Sequence, residues 1–368
     1  MKVGIIGAGF SGMTAAILLE QLGIDVKIFE KRHTLTQLSV KIGFNQNVFK
    51  IFETIGIAQE VQAQSSSAPA LNIYTSENKQ LKHIPYASTE FEQGFIDRDV
   101  LFQLLKSKLQ SDIQLIHEVV KVDENSGTIY FSDGTHETFD VVIASDGGFS
   151  KVRQQFFGIE PTFRGYTCFR GIVNDIDMTT DVHEYWGKKG RIQLVKVQDD
   201  VYWSAYINAY EQDKNYKQYT KYSLQKHFVH YPPLVQQVFE QTSEYFTQQD
   251  IYDSKPLDAF TKGKVALIGD AAHMLTPNLG QGTAFAIEDA VCLVQQLMKY
   301  DDVESALKAY DKLSVSYMKK VTLNARRIGN LAQLDANRQI AIRNKMMKTL
   351  PSRFVEKWSF SLNHRFIN

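Results

Sequence analysis

Hydrophobic and polar positions change their period several times along the first part of the chain. Lys2 to Ile6 is a short apolar, β-branched run, and beyond Gly7, Gly9 and Gly12 the residues Ala15, Ala16, Leu18, Leu19 and Leu22 recur at helical spacing. The pattern predicts strand, turn and helix. Gly23 supplies a C-terminal cap, and Asp25 to Glu30 alternates into a second strand, which completes a βαβ unit. A helix is expected over 96–109, started by Asp97 and carrying Leu101, Leu104, Leu105 and Leu109 on one face. Gly127 to Phe131 and His136 to Ala144 flank the turn Ser132-Asp133-Gly134, so a hairpin should run into the loop Ser145-Asp146-Gly147-Gly148.

From about Pro161 to Phe260 the texture becomes strand-like and aromatic, with Phe163, Tyr166, Phe169, Tyr185, Trp186, Tyr202, Trp203 and Tyr206. A second, sheet-based domain is expected there. A strand returns at VALIG after Lys264, a helical pattern runs from Gly282 to Met298, and the chain then reads as helical to its end. The expected division is a Rossmann-like α/β nucleotide-binding domain in three parts (1–72, 95–160 and 261–330) with an inserted, mainly β substrate domain (73–94 and 161–260). A C-terminal helical segment (331–368) follows. That segment holds seven Lys/Arg against two acids, with Trp358 and Phe360 nearby, a pattern suited to packing on its own domain or to touching an anionic membrane.

At 368 residues, 43% hydrophobic and 22% charged, the chain has enough apolar surface for such cores and is not disordered. The 41 basic and 41 acidic residues cancel, which argues against nucleic acid as a partner. Cys168 and Cys292 offer neither a disulfide framework nor metal spacing, so no metal is expected and a reducing cytoplasm fits best. No apolar run approaches 18 residues and no export signal opens the chain, so no integral membrane association is expected.

Gly7-Ala8-Gly9-Phe10-Ser11-Gly12 satisfies GxGxxG between the predicted strand and helix, and Glu30 ends the next strand. The first glycine serves the tight turn, the second the approach of a pyrophosphate and the third helix packing, while the carboxylate would accept from ribose hydroxyls and repel a 2′-phosphate. The nucleotide held here should be FAD or NAD. Lower in the chain, Gly269-Asp270-Ala271-Ala272-His273 and Pro277-Asn278-Leu279-Gly280-Gln281-Gly282 read as a second nucleotide-contacting loop. An extended FAD would run between the two, with Asp270 toward its ribityl hydroxyls and the helix start near Gly282 facing the flavin ring. Asp270 as a plain helix cap is the competing reading.

The glycine turn with its distant Glu30, then DVVIASDGGFSKVR, then GKVALIGDAAHMLTPNLGQGTAFAIEDA, resembles the single-component FAD-dependent aromatic hydroxylases, the family that includes p-hydroxybenzoate, salicylate and urate hydroxylases. The resemblance implies a monooxygenase that reduces FAD with NADH or NADPH, forms a flavin C4a-hydroperoxide with O2, and hydroxylates a small aromatic, heteroaromatic or electron-rich cyclic substrate. Asp146 and Gly147 resemble the family's Asp-Gly pair, Arg153 ends that motif, and Asp270 resembles the residue that holds the ribityl chain. Arg98 resembles an arginine at a helix start that reaches FAD, with a surface salt bridge as its alternative. Lys31 and Arg32 would face the adenosine half, with a solvated Arg32 as the alternative. His273 reads as structural more readily than as an acid or base.

The family loop GAGIxLxPN is replaced here by SVKIGFNQN, in which Ser39, Lys41 and Gln46 stand for two glycines and the proline. Lys41 would place a cation near substrate or flavin, unless it faces solvent. An aromatic lid is expected from Phe169, Trp186, Tyr202, Trp203 and Tyr206, with Arg170 and Arg191 as anchors for an anionic substrate. Arg191, Tyr202 and Lys41 are the catalytic candidates, and the residues alone do not select a substrate-activating base. A flavin reductase without oxygen insertion and a non-catalytic flavin-binding protein remain the alternatives. A monomer or homodimer is expected.

Overall fold

The computed structural model describes residues 1–35, 40–86 and 93–351. Its first layer is a six-stranded sheet in the order Thr261–Lys262, Val265–Leu267, Val141–Ala144, Lys2–Ile6, Asp25–Phe29, Ile113–Gln114. All neighbours are parallel except the Thr261–Lys262 edge. The central strands are apolar on both faces, as a sheet covered on both sides requires, and Val3, Ile5, Val141, Val142, Ile143 and Val265 are buried completely. Helices Phe10–Gln21 and Gly282–Lys299 pack against each other in this layer. Helix Arg98–Lys106 begins at Asp97, whose side chain accepts from the amides of Asp99 and Val100 at 2.8 and 3.3 Å.

The segment expected as one strand over His136–Ala144 is two. His136–Thr138 pairs with Thr128–Phe131, whereas Val141–Ala144 leaves to lie beside Lys2–Ile6. Phe139 and Asp140 turn the corner. The Phe139 ring is buried against the opening strand, and the Asp140 carboxylate accepts from the Lys2 amide at 2.7 Å.

A seven-stranded sheet forms the second layer in the order Thr247–Ser254, Pro161–Asn174, Asp200–Asn208, Gly190–Val197, Val182–Gly187, Ala70–Thr75, Gln80–Pro85. The stretch 161–260 is not strand throughout. Helices Lys221–His227 and Pro233–Gln241 cover one face of this sheet, and Leu224, Phe228, Val235, Val238 and Phe239 pack there on Phe169, Ile192, Leu194 and Trp203. Alternation then decides what the other face shows: Glu184, Trp186, Gln193, Tyr202, Ser204 and Tyr206 look into a cavity.

A small antiparallel sheet, Lys41–Phe44, Gln93–Asp97 and Ser65–Ala68, adjoins the same cavity. Helix Val303–Ala332 is followed by Asn337–Thr349, which packs on Gln80–Pro85. The Arg343 guanidinium is buried 5.4 Å from the centre of the Trp186 ring, and Met347 reaches the cavity wall. Ser39, Trp358 and Phe360 lie outside the described residues. Among the described residues no helix is long and apolar enough to cross a membrane, and no three His, Cys, Asp or Glu side chains cluster as metal ligands.

Candidate cofactor and substrate site

A single cavity of about 910 Å³ runs from the glycine turn to the inner face of the large sheet. The three glycines meet different demands. Gly7 has φ +98°, and a Cβ there would lie 2.4 Å from the Ser145 carbonyl oxygen; a Cβ on Gly12 would lie 2.2 Å from the Gly7 carbonyl. Around Gly9 a Cβ would meet nothing within 4 Å, so its missing side chain leaves open space at the start of helix Phe10–Gln21. No side chain caps that start, and the amides of its first turn carry the positive end of the helix dipole. Glu30 is fixed beside them, accepting from the Ala8 amide at 3.1 Å and the Arg32 amide at 3.0 Å. Lys31 and Arg32 are exposed at the same end of the cavity.

Farther along, the segments around Asp146 and Asp270 are tied together by Arg153, which is wholly buried. Its Nη1 donates to the Asp270 and Ala271 carbonyls at 2.9 and 3.1 Å, its Nε to Ile159 at 3.2 Å and its Nη2 to Gly148. The arginine that closes the DVVIASDGGFSKVR motif is thus a tie between backbones, a role its position in sequence does not disclose. Asp146, Gly147, Asp270, Pro277, Gly280 and Gly282 line the cavity, while Gly269 packs on Ser11 with φ +60°.

Two charged groups here are incompletely satisfied. Asp146 Oδ1 and Arg98 Nε are buried without a hydrogen-bond partner, and burial raises the Asp146 carboxyl above its usual range. Burial also lowers the Arg98 guanidinium, with Asp270 opposing it, and raises Asp270, with His273, Arg98 and Arg153 opposing. An open glycine cradle, a fixed ribose-type carboxylate and orphaned polar atoms along one elongated cavity fit an extended flavin dinucleotide. His273 does not line this cavity; its Nε2 bonds Asp289 Oδ2, which also accepts from the Gly269 amide at 3.0 Å.

Beneath the large sheet the walls become a polar network set among rings. Lys41 Nζ donates to Gln193 Oε1 and lies 5.4 Å from the centre of the Phe95 ring. Gln193 Nε2 donates to Glu184 Oε1 at 2.6 Å, and Trp186 Nε1 to Glu184 Oε2 at 2.7 Å. Tyr202 donates to Asp97 Oδ2 at 2.9 Å. Arg170 lines the cavity; Arg191 does not. The Arg191 side chain is 1% exposed, its guanidinium 4.1 Å from the centre of the Tyr206 ring, donating to Asn278 Oδ1 at 2.8 Å and 3.9 Å from Glu184. It braces the wall from behind. Phe169 belongs to the core under the two helices and Trp203 to that core while also bordering the cavity; Trp186, Tyr202 and Tyr206 are the expected lid aromatics on the inward register. Glu184, Gln193 and Met347 escaped the sequence reading. Glu184 and Gln193 carried a findable signal, since each is polar at an inward position beside residues that face the helices, Tyr185 next to Glu184 and Ile192 and Leu194 on either side of Gln193.

The sequence profile described as FAD binding domain matches residues 1–325. The chain is 28% identical over 367 residues to the aurachin C monooxygenase/isomerase of Stigmatella aurantiaca, covering 96% of each chain. It is also 28% identical over 352 residues to the FAD-dependent urate hydroxylase of Mycolicibacterium vanbaalenii, covering 89% of this chain and 87% of that one. Among solved structures, Klebsiella pneumoniae HpxO complexed with FAD and uric acid superimposes with a TM-score of 0.88 at 22% identity, over 98% of this chain and 96% of that one.

Proposed function

The chain belongs to the FAD binding domain family, and from that premise we propose that it is an FAD-dependent monooxygenase that uses NADH or NADPH and O2 to hydroxylate a small aromatic, heteroaromatic or other electron-rich cyclic compound. The observation that carries this reading is the continuity of one cavity from an open glycine cradle to a chamber walled by Trp186, Tyr202 and Tyr206. Related proteins over nearly the whole length carry the names monooxygenase and hydroxylase. In this reading the enzyme works in the cytoplasm on a small molecule, as a monomer or homodimer.

Gly7, Gly9 and Gly12 would shape the turn on which the pyrophosphate rests, Glu30 would hold the adenosine ribose, and Arg98 would neutralise phosphate charge. Asp146 with Gly147, and Asp270 with the loop Pro277 to Gly282, would hold the flavin half. When bound, FAD supplies electron transfer from the nicotinamide and activation of O2. The protein's own part is to orient the ring substrate and keep water away from it. The inward aromatics and the helix Asn337–Thr349 serve that exclusion by closing the chamber with Trp186 and Met347.

Purified protein should be yellow and should oxidise NAD(P)H faster when a suitable phenol, purine or polycyclic ring is added. Mass spectrometry after turnover under labelled O2 should find one labelled oxygen in the product. Stimulated NAD(P)H oxidation that never leaves oxygen in a product would turn the reading toward a reductase, and a folded protein that stays colourless with excess FAD would end it.

A further inference from the structure

Lys41 opens the strand Lys41–Phe44. Alternation puts its side chain on the face shared with Gly43, where a Cβ would come within 2.9 Å of the Gly280 carbonyl. The lysine thus stands next to the second nucleotide loop and lines the cavity. Among the described residues no carboxylate comes within ion-pairing distance of its Nζ. Glu184 faces it only through the Gln193 amide, and that carboxylate is already engaged by Gln193, Trp186 and Arg191. The surrounding strands present Cys168, Arg170, Glu184, Arg191, Tyr202 and Tyr206, and Tyr86 adds a half-buried phenol. Asp97, opposite Lys41 in register, is committed to Tyr202 and to its own helix.

A half-buried lysine on a cavity wall, without a paired acid, keeps its charge only at a cost in free energy. Burial is the main influence and brings Lys41 down to about 7; Glu184 opposes, and Arg191 and Arg170 assist. The site therefore contains an amine that can be neutral, beside fixed cations. A neutral ring substrate and a neutral amine can enter together, and charge need separate only once water is excluded.

We propose that Lys41 is the proton acceptor that converts a ring substrate bearing an acidic hydroxyl or lactam N–H into its anion, with Arg170 on the cavity wall holding the charge. In this step the substrate O–H or N–H bond breaks, its electron pair stays on the ring, and the proton forms a new N–H bond on Nζ. The same proton returns to the product on release. Total charge in the chamber is unchanged, and the ring becomes more electron-rich, as electrophilic hydroxylation requires. The proposal rests on the monooxygenase reading and narrows its substrate class to ionisable rings.

The test uses flavin-loaded protein and two probes, 3-nitrophenol and its methyl ether 3-nitroanisole, in weakly buffered solution. The pH is set above the Lys41 value of about 7 and below the ionisation of the free phenol. Wild type should bind 3-nitrophenol with the spectrum of the phenolate and release no proton to the medium. Lys41→Arg keeps a cation that cannot accept a proton, so it should also bind phenolate but release about one proton per ligand. Lys41→Met should bind the neutral phenol, about tenfold more weakly than wild type, and should lose the wild-type preference for the phenol over its ether. The proposal is overturned if flavin-loaded wild type releases as many protons as Lys41→Arg, binds the neutral phenol, or fails to bind the probe. A phenolate spectrum in Lys41→Met overturns it equally. Flavin absorbance, read in the same samples, keeps the two readings apart: yellow protein with these failures sinks the role of Lys41 alone, whereas colourless wild type sinks both.

Discussion

The two ends of the cavity are built from different materials. At the nucleotide end the working surface is backbone: Gly7, Gly9 and Gly12 act through side chains they lack, and amides of the helix start point into open space. Beneath the large sheet it is side chain, with Lys41, Gln193, Glu184 and Trp186 linked in one network drawn from three strands. A backbone site restricts the residues that can occupy it and so leaves a readable spacing. A side-chain site asks only that the right groups meet in space.

Five measurements would break or sharpen that contrast. The largest effect is expected for Gly9→Val, which fills the cradle without straining a backbone of ordinary φ: flavin affinity should fall at least about a hundredfold in a folded protein. Retention of flavin in that variant would show that the open space is not the cofactor's. Arg153→Met should cost about 3 kcal/mol of stability in thermal or denaturant unfolding, since it strips donors from four carbonyls in the protein interior. An unchanged unfolding midpoint would mean that the two nucleotide segments do not depend on this tie.

Asp270→Ala should weaken flavin binding about tenfold, measured by fluorescence titration, as one charged hydrogen-bond acceptor is lost. A smaller effect concerns pH. The carboxyls of Asp146 and Asp270 are raised by burial, so in flavin-free protein their stabilising contribution is complete below the ordinary aspartate range and fades as pH rises through their higher folded values. Asp270→Asn should flatten that decline in a series of unfolding midpoints; an equal slope in both proteins would remove Asp270 from the account. At the chamber end, Tyr202→Phe should cost only about 1 kcal/mol through its bond to Asp97 and leave flavin affinity untouched. A loss of flavin here would show the two ends to be less separate than the geometry has them.

The legibility of the sequence follows the same division. Periodicity found the βαβ unit and the helix beginning at Asp97, because local patterns and a capping side chain define both. It missed the break between Thr138 and Val141, since the run Val141-Val142-Ile143 suits either a hairpin or a buried parallel strand, and only the partner Lys2–Ile6 decides. It missed the helices over 221–241 because their apolar residues Leu224, Val235, Val238 and Phe239 lie in an aromatic stretch that reads as sheet. Arg153 could be noticed in its motif, but not its reach to carbonyls 117 and 118 positions away. Lys41 was visible as a charge where a glycine was expected; the groups that surround it, Glu184, Arg170 and Arg191, come from strands far along the chain.

Helix Asn337–Thr349 lies beyond the stretch matched by the family profile, yet its Met347 helps to wall the cavity. The dimensions of the chamber can therefore be redrawn at the carboxy-terminal side while the glycine turn, Glu30 and the Arg153 tie stay as they are. Divergence in diet, whether in nature or by design, has a place to begin that puts no redox machinery at risk.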